Sequence, residues 1–475
     1  MALITGEEYL ASLKDGRQVW LAGERVDVTT HPALAGCAKT LAEHYDLQHH
    51  PAHRDHLTMK SPSSGEPVSL AYLEPRSTEE LIRRRQMTEF LARRTGGVMG
   101  RTPEFMATVL VGLHDVRDIL GKEDPAFSSN VTRYFEYCRE RNLCLTHSFS
   151  DPPRNKNVPP EQFETFRVTE QRSDGLIIRG ARAVATLAPY ANEYLGVTSP
   201  RPGLTPDQVV YFALPMNTPG VRVFCREPFA GASAQDHPLS AFYDEIDAWI
   251  IFEDVVVPKE RVFFLRRVDV AARLFSAILA WASYHTLIRE VIKAECILGV
   301  CVAVADYLGN GKIPDTQQAL YQIICYVETM RAFLDSAESR SVRSFSGLVA
   351  PDPKQVLLGR LHCMEHHARI LEHAREICGA GLLMAPRQGD LTNPELRADI
   401  DRYLVGPDAH ALERYQMLKL AWDYLGDSFA TRQLLFEMYA GASFPVNKMR
   451  LLAEYDSSEF VRQAKILAGI SKGPE

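Results

Sequence analysis

The sequence predicts a mainly α protein with a β domain set between two helical parts, and three observations predict it. Up to residue 146, apolar residues recur at helical spacing between capping signals. From His147 to about Leu265 the pattern changes to period two, punctuated by turn residues. From Val268 onward long helical patterns return and run to the end, as in a helical bundle. The chain therefore divides into residues 1–146, 147–267 and 268–475.

Thr5 and Glu8 form a capping box that opens a short amphipathic helix ending at Gly16, and Val19 to Val26 reads as a hairpin turning at Ala22-Gly23. His31 to Asp46 is helical. Ser77 and Glu80 cap the next helix, whose stripe of Leu81, Met87, Phe90 and Leu91 stops at Gly96-Gly97. Another helix begins at Pro103, a residue suited to the first helical position, and Glu104 complements the positive helix end. The preceding Gly100-Arg101-Thr102 sets an arginine beside free backbone donors, which makes a candidate anion pocket. A fourth helix, about Ser129 to Asn142, carries Tyr134, Phe135 and Cys138 on its apolar side. The junction Leu143 to Lys156 then crowds an imidazole, hydroxyls, two prolines and cations, a set suited to a buried ligand with aromatic and anionic parts.

In the β part, Phe166 and Val168, the Asp174-Gly175 turn, Leu176 to Ile178, Val209 to Leu214, Val221 to Phe224 and Asp247 to Pro258 read as strands. The Pro- and Gly-rich stretch 196–220 is expected to be a mobile surface loop. The helices of the last part are Ala271 to Leu308, Asp315 to Phe345, Pro353 to Cys378, Ala409 to Tyr424 and Val446 to Leu467, with breaks at Gly379-Ala380-Gly381 and Gly406-Pro407.

Composition excludes several classes. A net charge of −7, from 53 basic and 60 acidic residues, gives no field for a polyanion, so nucleic acid is not an expected partner. The first residues lack the basic-then-apolar design of a signal peptide, and no apolar run is long enough to cross a bilayer, so a cytoplasmic protein without a membrane partner is expected. Nine cysteines between Cys37 and Cys378, without a CxxC pair, argue against a disulfide framework and a zinc ribbon.

Motifs narrow the chemistry. No GxGxxG follows a strand, and neither a P-loop nor a GxSxG elbow is present. His362 and His366 share a helical face, but a pair supplies only two of the three or four ligands a metal needs, and His49, His50 and His53 are judged alike; no metal is expected. Four places remain: Gly100 to Phe105, Leu143 to Lys156, Ala181 to Pro189, and Phe444 to Lys448. Each alone has a structural explanation, so their order along the chain carries the argument.

Taken in order, Thr5 to Leu10, Thr29 to Pro32, Gly100 to Pro103, Leu145-Thr146-His147, Ala188 to Glu193, Asp247-Ala248, Phe252 to Val262, Cys378 to Met384 and Ala421-Trp422-Asp423 span nearly the whole chain. In these stretches the chain resembles the 4-hydroxyphenylacetate 3-hydroxylase family, oxygenase components of two-component aromatic hydroxylases that use reduced flavin. The resemblance implies an acyl-CoA-dehydrogenase-like fold, with N-terminal helices, a central β-barrel and a C-terminal four-helix bundle. It implies assembly as a homotetramer or homodimer. A separate NAD(P)H:flavin reductase would supply reduced FAD (FADH2), which reacts with molecular oxygen to a flavin 4a-hydroperoxide and hydroxylates a small phenolic substrate ortho to its hydroxyl.

A phenol reacts better as its phenolate, yet its pKa lies near ~10, so a cation or base belongs beside the ring oxygen. By the resemblance, Arg101 and His147 take those catalytic and substrate-binding roles, with Phe105 beside the substrate. His285 is a second candidate base; a bundle histidine bonded to a backbone carbonyl is the other reading of it. Flavin contacts carry onto His147, Ser148, Phe149, Pro153, Arg154, Asn155, Lys156, Thr186, Phe444, Pro445, Val446 and Asn447. The 196–220 loop would close the site against water. Two departures are visible. Phe105 stands where the family commonly has Tyr or another aromatic, and Pro152-Pro153-Arg154-Asn155-Lys156 replaces Pro-Gln-x-Asp-Arg, which points to a phenol other than 4-hydroxyphenylacetate.

Two rival readings and one related class make different demands on the sequence. An acyl-CoA-dehydrogenase-like flavoenzyme acting on a thioester would need a carboxylate base at the bundle, and a flavin-free binding subunit would hold no reduced flavin. The related 4-hydroxybutyryl-CoA dehydratase needs cysteines that are absent from Met99 to Phe105, and Ile292 stands where its last cluster ligand would be.

Overall fold

The computed structural model describes residues 3–153, 155, 157–158, 164–201, 203–404, 411–439 and 441–470. Arg154 and Lys156, expected to bind flavin, lie outside them, as do Gly406-Pro407.

The strands form two principal sheets. One has six strands in the order Glu24–Arg25, Val19–Leu21, Val221–Cys225, Asp247–Pro258, Gly175–Thr186 and Arg167–Gln171. The other has four, in the order Val262–Leu265, Val210–Pro215, Glu193–Gly196 and Leu145–Ser148. The expected barrel is corrected here: among the described residues neither sheet closes, and an isolated Ser150–Ala183 bridge links the segment after Leu145–Ser148 to the Gly175–Thr186 strand of the larger sheet. The residues of the Val210–Pro215 strand give the reason. Val210, Phe212 and Leu214 pack into the core shared with the larger sheet, while Tyr211 and Ala213 pack into the helical core. With a sheet on one face and helices on the other, the strand is already buried on both sides without closure.

The hairpin near the N-terminus joins the larger sheet, because Val19–Leu21 pairs in parallel with Val221–Cys225. The Gly6–Ser12 helix starts on the expected Thr5/Glu8 capping box and, with the Ala35–Leu47 helix, covers that sheet's core through Tyr9, Leu41 and Tyr45. The Pro125–Arg141 helix begins earlier than expected, where Asp124 caps Ala126 and Pro125 takes the first turn.

The Val268–Leu308 helix, 41 residues long, is the axis of the helical part. Every residue from 284 to 294 is buried, because the Pro103–Asp115, Thr78–Arg94, Pro314–Ser339, Pro353–Cys378 and Ala411–Leu425 helices surround it. Other expectations change. The 196–220 stretch is not one loop, since the Val210–Pro215 strand fills its middle and Thr198 bonds Gln208 and Val210. The expected helix to Phe345 ends at Ser339, followed by a hairpin of Val342–Arg343 and Val349–Ala350. Val446 to Leu467 is two helices, Phe444–Glu454 and Ser458–Leu467, and a helix not expected from the sequence, Ser428–Tyr439, precedes them. Among the described residues no helix is long and apolar enough to cross a membrane.

Candidate active site

A cavity of about 960 Å³ opens where the sheets, the start of the Pro103–Asp115 helix, the axial helix and the Ser428–Tyr439 helix meet. Arg101, His147, Phe149, Thr186 and Phe275 face it, together with Asp247, Arg432 and Phe436. Its size is that of a cofactor or ligand cleft. Two non-glycine residues with left-handed backbone, Val184 (φ 58°) and Ala442 (φ 90°), border it, and Val184 leaves an apolar side chain 61% exposed there. Such strain concentrates at ligand clamps.

The turn before Pro103 is pinned from behind. Glu245, wholly buried, accepts the Gly100 amide at 2.8 Å and the Arg101 amide at 3.0 Å. A Cβ at position 100 would lie 2.4 Å from the Phe436 ring, so any residue but glycine there requires that ring to shift. The Arg101 guanidinium is thereby delivered to the cavity wall, 6% exposed, its centre 4.1 Å from the Phe105 ring centroid and 5.0 Å from that of Phe436. Its side chain donates to the Gly100 carbonyl at 2.9 Å, and among the described residues no carboxylate forms an ion pair with it. Burial pushes it down to about 9, opposed by Glu245 and reinforced by Arg289, Arg360 and Arg432. A cation buried without a counter-ion is an anion-seeking group.

His147 is the third residue of the Leu145–Ser148 strand, against Phe149 (4.3 Å between ring centroids) and Phe105 (5.5 Å). Its Nδ1 is buried and has no hydrogen-bond partner among the described residues. Burial and then Arg101 push the imidazole well below its ordinary value, so it is neutral at physiological pH. His285 lies behind Phe105, ring centroids 5.3 Å apart, and is not on the cavity wall. Among the described residues neither of its nitrogens has a hydrogen-bond partner; Glu104 Oε1 is 3.7 Å from Nε2, and the carbonyl-bonded arrangement is not formed. Burial lowers this imidazole too, opposed by Glu104.

The structure thus gathers Arg101, His147, Phe149 and Thr186 around one cavity, with Phe105 packed behind Arg101 and His147. It does not bring in all the expected flavin contacts. The Ser148 hydroxyl is taken by the Ala183 carbonyl, and Pro153 and Asn155 are exposed, Asn155 capping the Asn157 amide. Phe444, Pro445 and Val446 are not on the wall, although the adjoining Gly441, Ala442 and Ser443 are; Asn447 bonds the Ala442 carbonyl and so shapes that segment.

Sequence reasoning missed a cluster on the same cavity. Arg432 donates through Nη1 to Glu245 at 3.0 Å, and through Nη2 and Nε to Asp247 at 2.8 and 2.9 Å. Asp247 also accepts from Arg226 Nε at 3.1 Å and from the Thr186 hydroxyl at 2.6 Å, and these cations hold its carboxyl far below the usual range against the effect of burial. Asp247 was visible only as part of an ordered match, and Arg432 sits on the helix that was not expected.

A family model described as 4-hydroxyphenylacetate 3-hydroxylase N terminal matches residues 5–264, and the corresponding C-terminal model matches residues 273–469. The chain is 32% identical over 447 residues to the 4-hydroxyphenylacetate 3-monooxygenase oxygenase component of Geobacillus sp. (strain PA-9), covering 92% of this chain and 90% of that one. It is 33% identical to the oxygenase component of 4-nitrophenol 4-monooxygenase/4-nitrocatechol 2-monooxygenase from Rhodococcus opacus, covering 94% and 87%. Among solved structures it is similar to the oxygenase component of 4-hydroxyphenylacetate 3-monooxygenase complexed with FAD and 4-hydroxyphenylacetate, with a TM-score of 0.93, 32% identity and 98% of each chain covered. Glutaryl-coenzyme A dehydrogenase, at 13% identity and a TM-score of 0.51 over 84% of this chain and 82% of that one, shares the fold alone.

Proposed function

The chain belongs to the 4-hydroxyphenylacetate 3-hydroxylase family and is the oxygenase component of a two-component flavin-dependent aromatic hydroxylase, and on that premise we propose that its cavity holds FADH2 and a small phenol together, with Arg101 against the phenol oxygen. The observation that carries the reading is the buried Arg101 guanidinium, which has no carboxylate partner among the described residues. A phenolate completes it, and the ion pair lowers the cost of ionising the phenol.

The walls fit the cofactor. The cleft is large enough for a flavin ring and a phenol side by side, and Thr186, Ser199, Ser428 and Thr431 offer hydroxyls around it. When bound, reduced flavin supplies the activation of molecular oxygen. The chain's own residues do the rest. Arg101 holds the phenol as its anion. Neutral His147 hydrogen-bonds the same oxygen and orients the ring without competing for charge. Phe149 and Phe275 exclude water from the apolar side. His285 serves as a proton acceptor only through a shift of Phe105, which covers it.

Phe105 supplies no hydroxyl toward a polar substituent, and this favours a phenol with an apolar or uncharged para group over 4-hydroxyphenylacetate. The thioester alternative is disfavoured because the carboxylates here are engaged: Asp247 by two arginines and Thr186, Glu245 by Arg432 and two amides. The reading further includes a separate NAD(P)H:flavin reductase, a cytoplasmic location, the three-part division at 146/147 and 267/268 with a four-helix bundle, and a homotetramer. Val446, Met449 and Leu452, exposed by 55, 70 and 69% on the Phe444–Glu454 helix, supply apolar surface of the kind subunits cover.

The test uses the purified chain with enzymatically supplied FADH2, oxygen and a panel of para-substituted phenols. Ortho-hydroxylated product with little hydrogen peroxide is expected for at least one uncharged phenol. Peroxide without product across the panel would overturn the reading.

A further inference from the structure

Arg432 touches two carboxylates that lead to two different wall residues of the cavity, Arg101 and Thr186. Through Nη1 it reaches Glu245, whose two oxygens receive the backbone amides of Gly100 and Arg101, the turn that aims the Arg101 side chain. Through Nη2 and Nε it reaches Asp247, whose Oδ1 also receives the Thr186 hydroxyl proton. All three guanidinium nitrogens are engaged in this way, and Arg432 is 6% exposed. A carboxylate accepts only, so Thr186 spends its one proton on Asp247 and presents acceptor lone pairs to the cavity. The helix carrying Arg432 is held on its other side by Glu437, which bonds Arg289 and Lys293 of the axial helix at 2.7 and 2.9 Å. Arg432 therefore sits at a point fixed by the helical part and sets two residues of the β part.

We propose that Arg432 is a positioning residue that registers the phenol-binding cation Arg101 and the flavin-facing hydroxyl of Thr186 against each other, through Glu245 on one arm and Asp247 on the other. This rests on the phenol and flavin reading given above. The two carboxylates hold different groups: no hydrogen bond joins Glu245 to Thr186, or Asp247 to Gly100 or Arg101, and Arg226, which donates to the Asp247 carboxylate, reaches Glu245 only at its backbone carbonyl. Supporting residues of this kind act through geometry, and small displacements of the groups they hold are costly. An ion pair present only to stabilise the fold would show no such division between its arms.

Three variants separate the possibilities, with two equilibrium readouts that need no turnover. Ionisation of bound 4-nitrophenol, followed by the visible absorbance of its phenolate, reports on Arg101. Binding of oxidised FAD, followed by fluorescence quenching, reports on Thr186. Glu245→Gln is expected to weaken phenolate binding about 10-fold and leave FAD affinity within about 2-fold of wild type, the scale of displacing a held group. Asp247→Asn is expected to do the reverse. Arg432→Lys, which keeps the charge and loses the fork, is expected to weaken both. Thermal melting of each variant confirms folding, and the two isosteric amide variants decide the matter if Arg432→Lys fails to fold. Equal losses of both ligands in Glu245→Gln and Asp247→Asn, or Arg432→Lys with wild-type FAD affinity while Asp247→Asn has lost it, overturn the proposal. A wild-type chain that binds FAD but never ionises 4-nitrophenol sinks the phenol reading instead, and the FAD measurements on Asp247→Asn and Arg432→Lys still decide the positioning role.

Discussion

At the scale of single residues, the chemistry of the site comes down to which charged groups are left without a partner. Arg101 is buried and cationic and has no carboxylate partner among the described residues, whereas the neighbouring Arg226 and Arg432 are committed to Asp244, Asp247 and Glu245. Arg101→Gln is expected to lower kcat/KM for hydroxylation by at least about 100-fold, the scale of one electrostatic group, in steady-state assays of product formation. His147 makes a different prediction. Its imidazole is held well below the ordinary value by burial and by Arg101, so no limb from its titration is expected in the rate profile between pH 6 and 9. His147→Gln, which keeps a hydrogen-bonding group, should retain more activity than His147→Ala; equal losses would argue that the ring acts as a base. Both residues were legible in the sequence, because each lies in a short stretch whose order along the chain matches the family. Glu245 and Arg432 were not, since they lie 187 residues apart and each is unremarkable in its own segment.

At the scale of elements, the Ser428–Tyr439 helix matters most and was missed. Its start is capped by Asp427, whose Oδ1 receives the Ala430 amide at 2.7 Å. Burial, reinforced by Asp423 and opposed by that amide, pushes the Asp427 carboxyl up to about 7. The folded protein therefore keeps a proton that the unfolded chain releases at lower pH. This contribution to stability is complete below the ordinary carboxylate range and is lost as pH rises through about 7. Thermal melts of Asp427→Asn are expected to lose that part of the pH dependence and to gain stability relative to wild type at pH 8; unchanged melting at both pH 5 and pH 8 would count against it. The helix also depends on a glycine opposite. Gly100→Ala places a Cβ against the Phe436 ring and is expected to cost about 1–3 kcal/mol, the usual range for overpacking, measured by denaturant unfolding, and to weaken phenol binding through Arg101. The helix escaped notice because its charged and polar residues, Arg432, Gln433 and Glu437, point into buried contacts. Sequence patterning expects polar residues to face water, so a helix with a polar buried side does not stand out.

At the scale of the whole molecule, the apolar surface of the last two helices bears on assembly. Phe460 and Leu467 are exposed by 62 and 80%, continuing the run of Val446, Met449 and Leu452. If subunits cover this surface, as proposed, Met449→Glu together with Leu452→Glu should shift the species seen by light scattering from a tetramer toward smaller forms; an unchanged mass would exclude this surface from the interface. The succession of helical, strand and helical parts was legible because periodicity is a local property, and so were the capping box at Thr5, the turn at Gly100 and the identity of the family. The open sheets were not, because whether strands close depends on what covers their faces. The strand from Val210 has a sheet on one side and helices on the other, a fact of packing that no window of sequence contains. By itself the sequence determined the family and the succession of helical, strand and helical parts, and it offered Arg101 and His147 as candidates for the phenol. The tertiary structure alone decided that a guanidinium from a C-terminal helix ties Glu245 and Asp247 together, because contacts between distant segments are set by how the elements pack and leave no local trace.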